Sequence, residues 1–356
     1  MTSETSGLER QFVAMGSPIL LRITLERGAP RDEAERAADE VRKLLVEFGV
    51  EGWAWGSGAL ARFNAELAAG RRARVPELLR PLLARAWQIH HDSDGWFEPR
   101  IGTLVRLWGF DQAEREDLPP PDAAAVAAAL QALREAPAYD GGDHYGAAPG
   151  IAWDIGAIGK GYIVDLALDW LEHRGFAHAL INAGGNVAAR GRNGERPWCI
   201  GIRDPRSAPL QPELLAALDS GDESVITHGD DQRFFEHAGT RYTHVLQPRS
   251  GAPAQGLRAL TVVHRDGTLA DAGGAALFAA GPAYWPELAR RLGLEQVLVV
   301  DADGGVHATA ALAPRLQARE ALDSGTSARE AARQSGLHER TIWRMKADDK
   351  DQGSLF

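Results

Sequence analysis

The sequence predicts an α+β fold. Three observations point there. Strand-like runs and amphipathic helices intermix without strict βα alternation. Two glycine-rich turns flank a single helix between residues 151 and 191. The 356-residue chain, 44% hydrophobic and 25% charged, carries enough apolar material for a large core or two lobes.

Taken in order, residues 12–25 alternate apolar and polar around Met15-Gly16-Ser17-Pro18 and read as two strands. Residues 32–48 form an amphipathic helix, and 75–91 another with Pro76 in its first turn. The Ala-rich run 123–136 is helical. Between these helices, Trp96, Phe97, Trp108 and Phe110 read chiefly as core. Residues 138–150, rich in Gly, Asp, Ala and Pro, read as a surface loop and a lobe boundary. Residues 205–223 read as a second loop. Strands are expected at 224–226, 242–246, 260–264 and 296–300, and helices at 273–281 and 285–292.

The stretch 151–191 organises the rest. A short strand, 151–155, ends in Asp154. Gly156, Gly159 and Gly161 follow around Lys160, and a helix then carries Ile163, Val164, Leu166, Ala167, Trp170 and Leu171 at 3.6-type spacing. Gly175 caps it. A buried strand, 178–182, runs into Ala183-Gly184-Gly185-Asn186. Bare backbone N–H groups beside a lysine and a helix N-terminus suit an anionic, phosphorylated ligand. The alternative is that the glycines only permit tight turns. The spacing is neither that of a P-loop nor that of the Rossmann fingerprint.

Composition narrows the classes further. A net charge of −10 argues against general affinity for nucleic acid or anionic membrane. Cys199 is the single cysteine, so an intramolecular disulfide and a thiol-rich metal site are both excluded; it reads as a small core residue. The opening MTSETSGLER has no apolar run, and the expectation is a cytoplasmic protein without a membrane segment.

Several blocks fall in order: DIGAIGKGYIVD, LINAGGN, THGD at 227–230, HVLQPRSG at 244–251 and ADAGGAALFAAG at 270–281. With AMGS at 14–17 and GWFEPRIGTLVRLWGF at 95–110, they resemble the ApbE family, the FAD:protein FMN transferases, over about residues 11–312. The resemblance implies a two-lobed fold of mixed or antiparallel sheets flanked by helices. It implies magnesium-dependent transfer of FMN from FAD to a Ser or Thr hydroxyl of an acceptor protein, with release of AMP.

Site residues follow from the same resemblance. Asp271 and the Ala157 carbonyl match metal ligands; Asp271 alone also reads as a helix N-cap. His244 matches the general base, or else is a satisfied strand histidine. Lys160 faces phosphate or solvent. Asp165 holds the adenosine or is exposed on its helix. Met15 approaches the flavin or merely turns a hairpin. Ala183, Gly184, Gly185, Asn186 and Thr227 complete the FAD-binding set. Three family positions are altered: Thr-Ser-Gly appears as Thr227-His228-Gly229, an Asp as Gln247, and a Thr as Ala275. These changes leave open a flavin-binding protein without transferase activity.

From residue 313 the chain becomes Arg-, Glu- and Ala-rich. Ala332, Gly336 and Ile342 have helix-turn-helix spacing, so residues 313–346 are expected to form a small helical tail and 347–356 to be frayed. This raises a third reading, a flavin-responsive protein that binds DNA through the tail.

Overall fold

β1 (Ser6–Ala14) alternates outward and inward side chains, whereas β2 (Ser17–Leu25) is buried over most of its length. They pair antiparallel through a two-residue turn in which Met15 and Gly16 take φ of 51° and 65°. Positive φ at both positions matches the twist of the flanking strands. The chain is seen here as a computed structural model that describes residues 6–26, 28–112, 119–207, 213–231 and 233–318. The helix-turn-helix expected in the tail, and the frayed end after it, lie outside the described residues from 319 onward.

Helix α1 (Arg31–Glu51) buries Ala34, Val41, Leu45 and Phe48 on one face. Next come α2 (Ala59–Ala68), β3 (Ala73–Arg74), α3 (Arg80–Asp92), α4 (Gly102–Leu107), α5 (Ala123–Glu135) and β4 (His144–Tyr145). The helix expected from 75 starts instead at Arg80. Pro76 opens a turn, its carbonyl accepting from Leu79 N, and Pro81 takes the first helical turn. The expected loop 138–150 is not all surface. Tyr139 and Tyr145 are buried edge-on against Trp153, at 5.6 and 5.4 Å between ring centres.

The expected strand at 151–155 reduces to one bridge, Ile101 to Ala152, and Asn64 holds the main chain of Trp153 through both its N–H and its carbonyl. Then α6 (Gly159–His173) buries Ile163, Val164, Ala167, Leu168 and Leu171, while Leu166 is exposed. Strands β5 (Ala179–Ala183), β6 (Asn186–Arg190), β7 (Trp198–Arg203), β8 (Leu214–Ser220), β9 (Ser224–Gly229), β10 (Phe234–His237), β11 (Thr240–Thr243) and β12 (Leu257–His264) follow. The loop expected at 205–223 thus contains β8, because its Leu-Ala run is buried and pairs with β7. The chain continues through α7 (Gly267–Ala280), α8 (Trp285–Leu292), β13 (Gln296–Asp301), β14 (Val306–Ala308) and β15 (Leu316–Ala318).

Among the described residues, eight strands form one sheet in the order β1-β2-β5-β6-β9-β12-β13-β14, and every neighbouring pair is antiparallel. The sheet carries a core on each face. One joins it to the helices, through residues such as Ile181, Ile226, Leu260 and Phe278. The other, around Leu180, Trp198, Leu218 and Val263, joins it to the small sheet β15-β8-β7. Cys199 is buried in β7, as expected. Helix α7 is apolar almost all round and buried along its length, which makes it a central helix rather than a surface one. Among the described residues no helix is long and apolar enough to cross a membrane.

Candidate active site

The site forms where α6 meets the start of α7. A Cβ at Gly161 would stand 2.2 Å from the Gly267 carbonyl oxygen and 2.9 Å from Asp271 Cβ, so only glycine allows the two helices to approach this closely. Two acids cover the first N–H groups of α7. Asp266 is the N-cap and accepts from Leu269 N at 2.8 Å. Asp165, reaching across from α6, accepts from Gly267 N at 2.7 Å and Thr268 N at 3.1 Å, and Arg190 donates to it at 3.3 Å. Asp165 is therefore not an exposed helix residue. Burial pushes its pKa up to about 6, against the pull of Arg190 and the two N–H groups.

Asp271 is not the N-cap. The helix starts at Gly267, six residues before the expected 273, which places Asp271 inside it and only 1% exposed. Its Oδ2 accepts from Gly161 N at 2.9 Å, and its Oδ1 from Asn186 Nδ2 at 3.3 Å. His228 Nε2 stands 3.8 Å from Oδ1. The Lys160 ammonium acts on Asp271, His228 and His244 together. It faces this cluster and, with Gly161, Asn186 and Ser224, lines a small cavity. Burial holds the Asp271 carboxyl above the usual range, although Lys160, the Gly161 N–H and Asn186 all favour its anion. In a continuing helix Gly161 N would donate to the Ala157 carbonyl. It goes to Asp271 instead, which leaves that carbonyl without its helical partner.

The second glycine turn is held differently. Gly185 N donates to Asn182 Oδ1 at 2.9 Å. Gly184 has φ of 62°, and a Cβ there would meet Ser17 at 2.7 Å, so its glycine answers to backbone and neighbour. Gly185 has φ of 99° and open space where a Cβ would be. The N–H groups of Gly161 and Gly185, expected to face an anion, are thus both engaged within the protein. Ala183 is buried in β5, and Thr227 Oγ1 lies 2.8 Å from Thr261 Oγ1 on the neighbouring strand. Met15 packs on α1, where Gly49 leaves room for its backbone and Cγ.

His244 follows β11 rather than lying in a strand over 242–246. Its main-chain N and its Nδ1 both lie 3.0 Å from the Arg233 carbonyl oxygen. A carbonyl only accepts, so Nδ1 carries the proton and Nε2 keeps its lone pair. Burial, helped by the Arg233 guanidinium, brings its pKa down to about 4, so the ring is neutral near pH 7. Phe110 meets the imidazole edge-on at 6.4 Å, and Arg233 is itself tied to the Phe110 and Gln112 carbonyls at 2.6 and 2.9 Å. Sequence reading missed Arg233. Its contribution comes from a main-chain carbonyl, for which side-chain identity gives no signal.

A family model described as "ApbE family" matches residues 15–298. The chain belongs to the ApbE family. It is 32% identical over 321 residues to the FAD:protein FMN transferase of Treponema pallidum, covering 85% of this chain and 87% of that protein. It is 31% identical over 325 residues to the FAD:protein FMN transferase of Rhodobacter capsulatus, covering 90% of this chain; the match spans only 60% of that longer relative. Among solved structures, it resembles the apo form of the Pseudomonas stutzeri flavinyl transferase ApbE, with a TM-score of 0.74, 29% identity and coverage of 88% of this chain and 98% of that one. The ApbE protein of Thermotoga maritima shares the fold at a TM-score of 0.77 and 24% identity, covering 87% and 99%.

The three positions at which the chain departs from the ApbE pattern fall in two places. His228 and Ala275 flank Asp271. Gln247 does not. Its Nε2 donates to the Ala279 carbonyl at 3.3 Å, eight residues and so about 12 Å along α7 from Asp271.

Proposed function

We propose that the chain is an FAD:protein FMN transferase, which moves FMN from FAD to a Ser or Thr hydroxyl of an acceptor protein and releases AMP. The observation that carries the reading is the state of His244: neutral, with its proton fixed on Nδ1 by the Arg233 carbonyl and Nε2 free to accept. The acceptor hydroxyl gives its proton to Nε2, and its oxygen bonds to the FMN phosphorus. The P–O bond to the AMP half breaks, and the leaving phosphate takes the electron pair. Lys160 is the cation that would offset the charge of that pyrophosphate. Met15, at the hairpin turn, and Gly185, which has open space beside it, permit close approach of the flavin or adenosine, and Ala183, Gly184, Asn186 and Thr227 complete the proposed binding set.

Among the described residues no three His, Cys, Asp or Glu side chains gather as a metal group. The donors that fit are the Asp271 carboxylate and the Ala157 carbonyl, completed by phosphate oxygens, which is the pattern magnesium favours. Magnesium bound there would neutralise charge on the pyrophosphate. Asp165 takes no part in holding the adenosine, because α7 and Arg190 already engage its oxygens.

The test is AMP release from FAD with an acceptor protein, and covalent FMN on that protein by mass spectrometry. A second reading, flavin binding without transfer, is favoured by Ala275, which offers no oxygen beside Asp271. FAD that binds saturably but yields neither AMP nor a flavinylated product would decide for it.

A further inference from the structure

His228 has no role in the chemistry above. It lies on β9 opposite Leu260, and its ring crosses to α7. A Cβ at residue 274 would stand 2.7 Å from its Cδ2 and 2.8 Å from its Nε2, so the imidazole fits because Gly274 lies beneath it. Nε2 is buried and makes no hydrogen bond. At 3.8 Å it is too far from Asp271 Oδ1 for one. The other polar groups acting on the ring are the Asp271 main-chain carbonyl and the Lys160 ammonium. A buried nitrogen without a partner is costly unless a ligand completes it. Two metal–ligand bonds of about 2.1 Å, at angles of roughly 90° to 110°, span about 3.0–3.4 Å. A movement of less than about 1 Å therefore lets one cation touch both atoms.

We propose that His228 Nε2 joins Asp271 Oδ1 as a mixed nitrogen–oxygen half-site, which fits this chain to a nitrogen-tolerant divalent cation such as cobalt or zinc better than to magnesium. An imidazole suits such ions, whereas all-oxygen sets suit magnesium. The nitrogen also supplies the ligand that Ala275 cannot. This rests on the flavin site proposed above, because FAD phosphate oxygens complete the coordination.

Cobalt chloride added to the full chain with FAD tests it. Proton NMR should show an exchangeable, hyperfine-shifted ring N–H, absent from His228→Ser and from the bulkier control His228→Gln. Titration should show His228→Ser weakening cobalt about tenfold while magnesium changes by less than about twofold. FAD fluorescence quenching, read in the same samples, reports the flavin site separately. Quenching without the shifted resonance, a resonance that survives in His228→Ser, or equal losses of cobalt and magnesium overturns the half-site and leaves the flavin reading standing. Absence of quenching in the wild type overturns both.

Discussion

Two aspartates, Asp165 half-buried and Asp271 buried, sit where α6 meets α7, and their surroundings assign them opposite work. Asp165 receives two main-chain N–H groups and an arginine, a set that satisfies a carboxylate and ties helix to helix and strand. Asp271 receives one N–H and one long amide contact, and beyond these it faces a lysine and an imidazole whose Nε2 makes no hydrogen bond. Both are held above the usual carboxylate range by burial. Asp271 is the more deeply buried of the two, yet it has the poorer set of partners. Donors that belong to the fold make an anchor. Donors left incomplete, beside a lysine that acts on the same carboxylate, make a site.

The largest expected effect is on turnover. Asp271→Ala should lower the rate of AMP release by a factor of about 100 or more, since it removes the charged oxygen ligand and the group that faces Lys160. The orphaned Gly161 N–H should cost only about 1–3 kcal/mol of stability. Rate assays beside thermal denaturation separate the two. Full activity at low magnesium would place the metal elsewhere.

Asp165→Ala should do the reverse. It leaves two helix-start N–H groups unpaired and takes from the nearly buried Arg190 its shorter carboxylate contact, leaving it the Ala189 carbonyl and Asp169 at 3.8 Å, a loss of about 3–5 kcal/mol by analogy with broken buried pairs. Protein that remains folded in the cold should bind FAD almost as wild type does. A stable Asp165→Ala protein that has lost FAD binding would break the contrast and return Asp165 to the ligand.

The pH dependence of stability sharpens it further. With a folded pKa of about 6, Asp165 holds a proton that the unfolded chain releases near pH 4. Its contribution is full below pH 4 and is lost as pH rises to about 6. His244, brought down to about 4, has the opposite sign: the unfolded chain binds a proton up to about pH 6.5, so stability rises with pH across that window. Each slope is at most about 1.4 kcal/mol per pH unit. Denaturant melts of Asp165→Asn should lose the falling component, and those of His244→Asn the rising one. Identical profiles for the two variants would show that the partners do not set these values.

Much of this was legible in the sequence, but unevenly. The hairpin at Met15-Gly16, helix α6 and the strand before Ala183 follow from local periodicity and turn chemistry. So does the gathering of Lys160, Asn186 and Asp271, once the ordered blocks are taken together. What stayed hidden depends on groups far apart in the chain. The partners of Asp165 are N–H groups about a hundred residues later, and no local pattern announces them. The same holds for Gly161, which reads as a phosphate turn although the Gly267 carbonyl is what demands a glycine there. Strand β8 was hidden because its Leu-Ala run lies among Pro and Ser, and only burial against β7 distinguishes it from a loop.

The smallest expected effect concerns Gln247, and it runs against the family pattern. Restoring the aspartate there would be expected to raise the rate if position 247 served the metal or the His244 ring. The structure puts its amide on the Ala279 carbonyl, near the C-terminal end of α7. A carboxylate is shorter by one methylene, cannot donate to that carbonyl, and meets the negative end of the helix dipole. Gln247→Asp should therefore give no gain in AMP release and a stability loss of about 0.5–1.5 kcal/mol. Ala275→Thr, one turn beyond Asp271, is the matched comparison, because it returns an oxygen at the site itself. A rate that climbs with Gln247→Asp but not with Ala275→Thr would mean that the loop carrying His244 swings toward Asp271 when FAD is bound. A rise with Ala275→Thr alone would confine the incomplete shell to the surroundings of Asp271.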